Sequence, residues 1–176
     1  MNSPSHSDDL SRCTVLFVCS GNTCRSPLAE AIVTKLAAER GKLGIEAMSA
    51  GVSAAPGEAV SRGAQIVAAE HGLDLSRRTA QRLSADLIDR ADLVLVMEPR
   101  HRTDVLNLVP SADERVHVLT ALAPGRGLEG IRDPFGGSIE EYRRCFEELR
   151  DVITEALPQM ETRIRRLADG RGPRRH

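Results

Sequence analysis

Two kinds of hydrophobic pattern alternate along the chain. Short apolar runs, most of them rich in β-branched residues, predict four strands: residues 14–18, 45–49, 92–97 and 116–119. Stretches with apolar residues at helical spacing predict five helices: residues 26–41, 58–71, 84–90, 99–108 and 138–157. Because strands and helices alternate and the strands are apolar throughout, we predict an α/β three-layer sandwich, with a central four-stranded parallel sheet and helices on both faces.

Capping residues indicate where several helices begin and end. Ser26 followed by Pro27 is typical of an N-cap and a first helical position, and Ser84 has the N-cap position of the short third helix. Gly72 is expected to stop the second helix. Pro158 predicts a break if the last helix continues beyond residue 157.

The length of 176 residues suggests one domain, large enough to bury a core without disulfides or metal. The aromatic share is only 2%, so the core must consist mainly of Leu, Val, Ile and Ala. Residues 1–12 are rich in Ser and Asp and are predicted to be a flexible leader. We predict the domain over residues 13–160 and a basic tail over residues 161–176.

The cysteines and histidines show no spacing typical of a disulfide framework or a metal site. The cysteines are Cys13, Cys19, Cys24 and Cys145. With no secretory signal and no long apolar span, the chain is predicted to be cytoplasmic, where thiols stay reduced. No metal and no cofactor is expected.

Arginine dominates residues 163–176, although the formal net charge of the whole chain is −1. Such a segment could touch nucleic acid, an acidic partner or a membrane surface. No aromatic residues are interleaved with the arginines as stacking platforms. We therefore expect a solvated tail with neither a nucleic-acid partner nor a membrane, and the sequence indicates no oligomeric state.

Residues 19–26 join the first strand to the first helix and carry the main candidate chemistry. They are Cys19, Ser20, Gly21, Asn22, Thr23, Cys24, Arg25 and Ser26. Backbone N–H groups of such a turn, with the helix N-terminus behind them, form a concave site for a tetrahedral oxyanion. Glycine lets this backbone approach the anion closely.

Cys19 and Arg25, at the two ends of this loop, suggest catalysis as well as binding. A thiol below a helix N-terminus and beside a guanidinium should be deprotonated near neutral pH, which makes it a nucleophile. The guanidinium can hold two phosphate oxygens in a bidentate fork. A buried cysteine that merely lies near an arginine is the alternative. A nucleotide-binding loop is less supported, because Gly-x4-Gly-Lys-Ser/Thr is absent.

Asp133 is the candidate proton donor. A leaving group that departs from phosphorus gains negative charge, so a carboxylic acid above the pocket should protonate it. Asp133 lies in a Pro/Gly-rich loop and is followed by Pro134, which stiffens the backbone. An aspartate in a long loop can equally be a turn residue or a cap.

Four segments together resemble the low-molecular-weight protein tyrosine phosphatases. They read VCSGNTCRSPLAE at 18–30, SAG at 49–51, ADLVLVM at 91–97 and DPFGGS at 133–138. The resemblance covers residues 13–160 and implies the fold of that family. It also implies hydrolysis of a phosphorylated protein side chain through a phosphocysteine. In that scheme Cys19 is the nucleophile, Arg25 binds phosphate, and Asp133 is first acid and then base.

Within the family, Thr23 and the DPFGGS segment are more similar to the protein arginine phosphatase branch than to the phosphotyrosine branch. Residues 51–57 offer no aromatic wall for a tyrosine ring, and Phe135 is the only aromatic residue near Asp133. The Thr23 hydroxyl could orient water or a guanidinium N–H, or simply pack in the loop. We therefore expect phosphoarginine as the substrate, with phosphotyrosine as the alternative.

The resemblance also implies roles for the loop residues. Substrate binding is expected from Ser20, Gly21, Asn22, Thr23, Cys24, Ser26 and Phe135. An Asn–Ser–His network shapes this loop in the family, and Asn22 and Ser26 match its first members while Ser49 is expected to join them. Residues 76–78 read Ser-Arg-Arg where the histidine should stand. Ser26 is then an N-cap, a donor to the thiolate, or both.

The resemblance implies a reversible disulfide between Cys24 and Cys19, which would shield Cys19 from over-oxidation. Alternatively, Cys24 is a small side chain that only fills space. Two other functions remain open for the same loop, namely thiol-linked arsenate reduction and a non-catalytic anion-binding module. Arsenate reduction needs additional redox cysteines, which Cys145 alone does not supply. Glu98, Arg100 and His101 follow the third strand and could line the mouth of the pocket, but we interpret them as surface charge.

Overall fold

A four-stranded parallel sheet lies at the centre of the computed structural model, which describes residues 13–40 and 44–169. The strands are β1 (Cys13–Cys19), β2 (Ile45–Gly51), β3 (Leu93–Val96) and β4 (Val116–Val118). Their order in the sheet is β2-β1-β3-β4, and each neighbouring pair is parallel. The predicted parallel α/β sheet is confirmed.

Five α-helices cover the sheet: α1 (Arg25–Arg40), α2 (Arg62–Glu70), α3 (Ala85–Arg90), α4 (Pro99–Leu108) and α5 (Ile139–Asp169). Two short 3₁₀ helices, Pro110–Arg115 and Leu119–Leu122, flank β4. Helices α1, α2 and α5 pack on one face of the sheet, and α3 and α4 on the other. This is the predicted three-layer sandwich.

Alternate residues of β1 feed two separate cores. Val15 and Phe17 pack under α1, α2 and α5, whereas Leu16 and Val18 pack under α3 and α4. All four side chains are fully buried. A strand buried on both faces cannot alternate between apolar and polar residues, which explains the continuous apolar run in the sequence.

The start of α2 differs from the prediction. Residues 58–60 are not helical, because their backbone pairs with residues 78–80: Gly57 N–H donates to the Ala80 carbonyl at 2.9 Å, and Ala80 N–H donates to the Glu58 carbonyl at 2.7 Å. Ser61 caps the helix by accepting from the Ala64 N–H. Gly72 follows the C-cap with a φ of +73°, which confirms it as the stop.

The other helix ends show one agreement and two differences. Ser84 accepts from the Leu87 N–H and caps α3 as predicted. Helix α1 begins one residue before Ser26, so the predicted N-cap role of Ser26 is wrong. Helix α5 continues past Pro158 to Asp169 and crosses the predicted boundary between residues 160 and 161. Residues 1–12 and 170–176, in the predicted leader and tail, lie outside the described residues.

Within the described ranges, no helix is both long and apolar enough to cross a lipid bilayer.

The sheet order brings the candidate residues to one edge. Strand β1 lies between β2 and β3, and Cys19 at its carboxyl end pairs with Gly51 at the end of β2. Helix α1 begins at Arg25, immediately after the loop that leaves β1. The carboxyl edge of such a sheet is where ligands bind in open α/β folds.

Candidate active site

The loop of residues 19–25 is shaped by Asn22. Its φ of 54° is in the left-handed region, which asparagine tolerates better than most residues. The Asn22 Oδ1 accepts a 2.8 Å hydrogen bond from the Gln81 N–H, and its Nδ2 donates to the hydroxyls of Ser26 and Ser49 at 2.8 and 2.9 Å. The buried amide therefore holds the loop against β2, α1 and residues 78–81.

Gly51 lets the end of β2 approach this loop. A Cβ at Gly51 would lie 2.6 Å from the Ser20 carbonyl oxygen and 2.8 Å from the Asn22 nitrogen. Atoms of a real side chain do not come so close to backbone, so the loop can keep its curvature only beside glycine.

Cys19 is 2% exposed and lies at the bottom of the loop. Its Sγ is 2.9 Å from the Ser26 hydroxyl and accepts a 3.3 Å hydrogen bond from the Asn22 N–H. Burial raises the pKa of the Cys19 thiol, whereas the Ser26 hydroxyl, the Arg25 charge and the Asn22 N–H lower it. Burial is the largest of these effects, so the pKa of the Cys19 thiol lies above its ordinary value, and the structure does not bear out the ionised thiol predicted from the sequence.

Arg25 is almost fully buried and is held by several acceptors. Nη1 contacts the Glu98 carboxylate and donates to the Ile131 carbonyl at 2.8 Å, and Nη2 donates to Asp133 Oδ2 at 3.0 Å. A buried guanidinium needs such pairing. Because two carboxylates share its charge, Arg25 gives less stabilisation to a thiolate at Cys19 than an unpaired arginine would.

Asp133 reaches Arg25 from the loop between the second 3₁₀ helix and α5. Its side chain is 37% exposed, and Oδ1 accepts a 3.2 Å hydrogen bond from the Phe135 N–H. The carboxyl group therefore lies at the mouth of the site with access to solvent. This position suits a group that exchanges protons with a leaving group and with water.

These residues surround one pocket of about 230 Å³. Its lining consists of Cys19, Ser20, Gly21, Thr23, Cys24, Arg25, Ser53, Glu58, Asp133 and Phe135. A thiol, a guanidinium and a carboxyl group therefore line the same pocket. That combination can bind a phosphoryl group, attack it and protonate what leaves.

The comparison with protein families decides the identity. The profile of the family described as "Low molecular weight phosphotyrosine protein phosphatase" matches residues 14–168. The chain belongs to this family.

Relatives within the family carry two kinds of name. The protein-arginine-phosphatase of Geobacillus stearothermophilus is 38% identical over 149 residues, which are 84% of this chain and 96% of the relative. The probable low molecular weight protein-tyrosine-phosphatase AmsI of Erwinia amylovora is 41% identical over 145 residues, which are 81% of this chain and 91% of the relative.

Solved structures of the family show the same fold. YwlE arginine phosphatase from Geobacillus stearothermophilus matches with a TM-score of 0.77 at 33% identity, covering 92% of this chain and 99% of that one. A YwlE variant with a phosphorylated active-site serine in place of cysteine matches with a TM-score of 0.79 at 33% identity, covering 88% of this chain and 99% of that one. The predicted family fold is confirmed.

The structure divides the predicted site residues into two groups. Eight line the pocket: Cys19, Ser20, Gly21, Thr23, Cys24, Arg25, Asp133 and Phe135. Asn22, Ser26 and Ser49 are fully buried behind the loop, where they bond to one another. The hydrogen bonds of the expected Asn–Ser network are thus present. The catalytic and binding roles of all these residues stay predictions.

Arg78 belongs to the stretch of residues 76–78, where the resemblance led us to expect a histidine. Its Nη2 donates to the Ser49 hydroxyl at 3.0 Å and forms a 2.6 Å ion pair with Glu30 Oε2. The Ser49 hydroxyl donates to the same carboxylate at 2.5 Å. Neither Glu30 nor Arg78 was expected in the site. Their separation of 48 positions gives no local pattern that could have revealed the pair.

The surface-charge interpretation is wrong for Glu98 and His101. Glu98 binds Arg25, and interactions with Arg100 first and Arg25 second lower the pKa of Glu98 to about 2. His101 is fully buried, and its Nε2 lies 3.0 Å from the Ser20 hydroxyl. Both residues directly follow β3, whose carboxyl end adjoins the end of β1, and neither lines the pocket.

Cys24 is buried beside Ser61 Oγ at 3.1 Å and the Tyr142 hydroxyl at 3.5 Å. All four cysteines are free thiols in the structure. The disulfide with Cys19 therefore stays a prediction. Among the described residues, no cluster of three or more His, Cys, Asp or Glu side chains is arranged to hold a metal ion.

Proposed function

We propose that this member of the family is a protein phosphatase that hydrolyses phosphoarginine in protein substrates through a phosphocysteine intermediate. The observation that carries the proposal is the single pocket in which Cys19, Arg25 and Asp133 meet. The free thiols and the need for a reduced nucleophile support a cytoplasmic location.

In the first step the Cys19 thiolate attacks phosphorus and the bond from phosphorus to the leaving atom breaks. Arg25 and the loop N–H groups hold the equatorial oxygens as charge spreads over them. For phosphoarginine the leaving atom is a guanidino nitrogen, and Asp133 transfers its proton to it. The products are unmodified arginine, phosphocysteine and an ionised Asp133.

In the second step water attacks the phosphocysteine. The Asp133 carboxylate takes a proton from that water, the S–P bond breaks, and inorganic phosphate leaves. The electron pair returns to sulfur, where the Ser26 hydroxyl at 2.9 Å can donate to the departing thiolate. Cys19 and Asp133 are then in their starting states.

The phosphoarginine preference is supported by two features of the pocket. Thr23 lines the pocket, so its side chain lies beside the proposed position of the substrate. Phe135 is the only aromatic residue of the lining, and it is 67% exposed. A pocket with one exposed aromatic side chain cannot pack a tyrosine ring between two aromatic walls. The relatives named protein-arginine-phosphatases agree with this preference.

Phosphotyrosine is the second candidate substrate, because relatives of similar identity are named tyrosine phosphatases. The test measures phosphate release from a phosphoarginine peptide and a phosphotyrosine peptide. Cys19→Ser should abolish release, whereas Cys145→Ser, at a buried cysteine outside this pocket, should retain it. Thr23→Ile should shift the preference towards phosphotyrosine. No Cys19-dependent release from either peptide would overturn the proposal.

A further inference from the structure

Glu58 is a carboxylate in the pocket to which nothing above assigns a role. It lines the same cavity as Cys19, Arg25 and Asp133, and its side chain is exposed. In the part of the chain that the structure describes, no hydrogen bond or ion pair engages the Glu58 carboxylate. Asp133, the other carboxylate of the lining, is paired with Arg25.

The backbone around Glu58 is firmly held. The Gly57 N–H donates to the Ala80 carbonyl, and the Glu58 carbonyl accepts from the Ala80 N–H. Gly57 has a φ of +88°. Three residues on, the Ser61 N–H donates to the Thr23 carbonyl at 2.9 Å. The backbone segment that carries Glu58 is therefore tied directly to the loop of residues 19–25, which keeps the side chain beside the pocket.

The charge of Glu58 is unfavourable for a substrate that is only an anion. The charged side chains of the lining are Arg25, Asp133 and Glu58, and a thiolate at Cys19 adds another negative charge. A carboxylate without a partner repels a phosphate dianion in the same cavity. The arrangement becomes favourable if the substrate brings a positive group next to its phosphate, because the carboxylate can then accept charge-assisted hydrogen bonds.

We propose that Glu58 is a specificity residue that binds the guanidino N–H groups of a phosphorylated arginine side chain while Arg25 binds its phosphate. The inference rests on the proposed function and deepens it. Glu58 accepts hydrogen bonds from the nitrogens that are not bonded to phosphorus. A phosphotyrosine ring offers no such donors, so the same carboxylate disfavours the competing substrate.

This role separates recognition from chemistry within one pocket. Asp133 must deliver a proton to the leaving nitrogen, so it cannot remain a fixed partner of the guanidino group throughout the reaction. Neither step of the proposed reaction uses Glu58 for proton transfer. Its effect should therefore appear as discrimination between substrates.

The experiment compares kcat/KM of the full chain for a phosphoarginine peptide and a phosphotyrosine peptide of otherwise equal sequence. Glu58→Gln keeps the shape and removes the charge, and Glu58→Lys inverts the charge. We expect Glu58→Gln to lower kcat/KM about tenfold for phosphoarginine, the loss of one hydrogen bond to a charged group, and to raise it for phosphotyrosine. Glu58→Lys should change both kcat/KM values in the same directions as Glu58→Gln, and by more. Glu39→Gln, an exposed glutamate near the far end of α1, is the matched control and should change neither value.

The outcomes distinguish failure of the Glu58 inference from failure of the proposed function. If wild type hydrolyses both peptides and neither Glu58 variant changes the ratio of the two kcat/KM values, the Glu58 inference fails and the phosphatase stands. If wild type hydrolyses phosphotyrosine alone, both the arginine preference and the Glu58 inference are overturned. If wild type releases phosphate from neither peptide, the proposed function itself fails.

Discussion

Arg78 donates a 3.0 Å hydrogen bond to the Ser49 hydroxyl, which links a cation to the buried network behind the nucleophile. From Ser49 the network continues through Asn22 and Ser26 to the Cys19 sulfur. No residue of this network beyond Cys19 lines the pocket. We therefore expect Arg78 to act as a positioning residue through the loop.

Replacing Arg78 by Met should lower kcat about tenfold and change KM little, because the loop loses support behind Cys19 while the pocket lining stays intact. The substitution also leaves Glu30 without its cation. Since both side chains are partly exposed, the free energy of unfolding should fall by only about 1 kcal/mol. Steady-state kinetics and thermal unfolding measure the two effects. Arg78→Lys, which keeps the charge, should be intermediate; equal kcat values for wild type and Arg78→Met would contradict this role.

Glu98 shares the charge of Arg25, so Glu98→Gln should lower the pKa of the Cys19 thiol. The amide can still accept a hydrogen bond from Arg25, but it no longer neutralises the guanidinium. The positive potential at the sulfur then increases, and the thiolate is favoured. The pH dependence of alkylation by iodoacetamide, with Cys19→Ser as background, reports this shift. Glu140→Gln, in a surface ion pair with Arg143, is the control; a higher Cys19 pKa in Glu98→Gln would refute the expectation.

Gly51→Ala should damage both stability and activity. The new Cβ would meet the Ser20 carbonyl and the Asn22 nitrogen, which are backbone atoms that cannot rotate away. We expect a loss of about 1–3 kcal/mol in the free energy of unfolding, together with lower kcat/KM. Chemical denaturation and phosphate release test this. Ala47→Ser, at a partly buried position of the same strand, also adds one atom and should be mild. A stable and active Gly51→Ala would show that the loop tolerates displacement.

His101 should make the protein less stable as the pH falls from 6.5 to 4. Burial, together with the Arg25 charge, lowers the pKa of His101 to about 4, against 6.5 for a free histidine. Between pH 6.5 and pH 4, His101 is protonated in the unfolded chain but not in the folded chain. Its contribution to the free energy of unfolding is therefore fully present above pH 6.5 and is lost as the pH falls towards 4. The loss is on the order of 3 kcal/mol at most.

Denaturation across this pH interval tests the contribution of His101. His101→Gln should flatten the slope while keeping a polar partner for Ser20. His117→Gln is a useful comparison, because burial also lowers the pKa of His117 and its removal should flatten the slope as well. An unchanged slope in His101→Gln would contradict the assignment.

Local pattern was sufficient for the elements that carry strong sequence signals. Helix α4 begins and ends at the predicted residues, since Pro99 sets its first turn and apolar spacing follows. The loop of residues 19–25 was recognisable because its nucleophile, glycine and arginine are close together in sequence. Contacts such as Arg25 with Glu98, or Arg78 with Glu30, join residues far apart and follow only from the sheet order.

Errors at element ends have physical causes that a sequence does not display. Residues 58–60 have apolar spacing compatible with a helix, but pairing with residues 78–80 provides competing hydrogen bonds. Pro158 removes one helical donor, yet Leu157 and Met160 on either side of it are buried in the core, which favours continuation of α5. Tertiary contacts override the local preference in both cases.

The sheet order indicates which part of the molecule opens first on warming. Strand β1 is hydrogen-bonded to neighbours on both edges, so its amide protons should exchange with solvent only when the whole sheet opens. Asp133 is carried by an irregular connection whose amides should exchange through small local openings. We therefore expect Cys19 and Asp133 to belong to different cooperative units. On heating, the connection that carries Asp133 should open before the sheet does. The Cys19 sulfur should then still react with alkylating agents, while the protein no longer hydrolyses substrate.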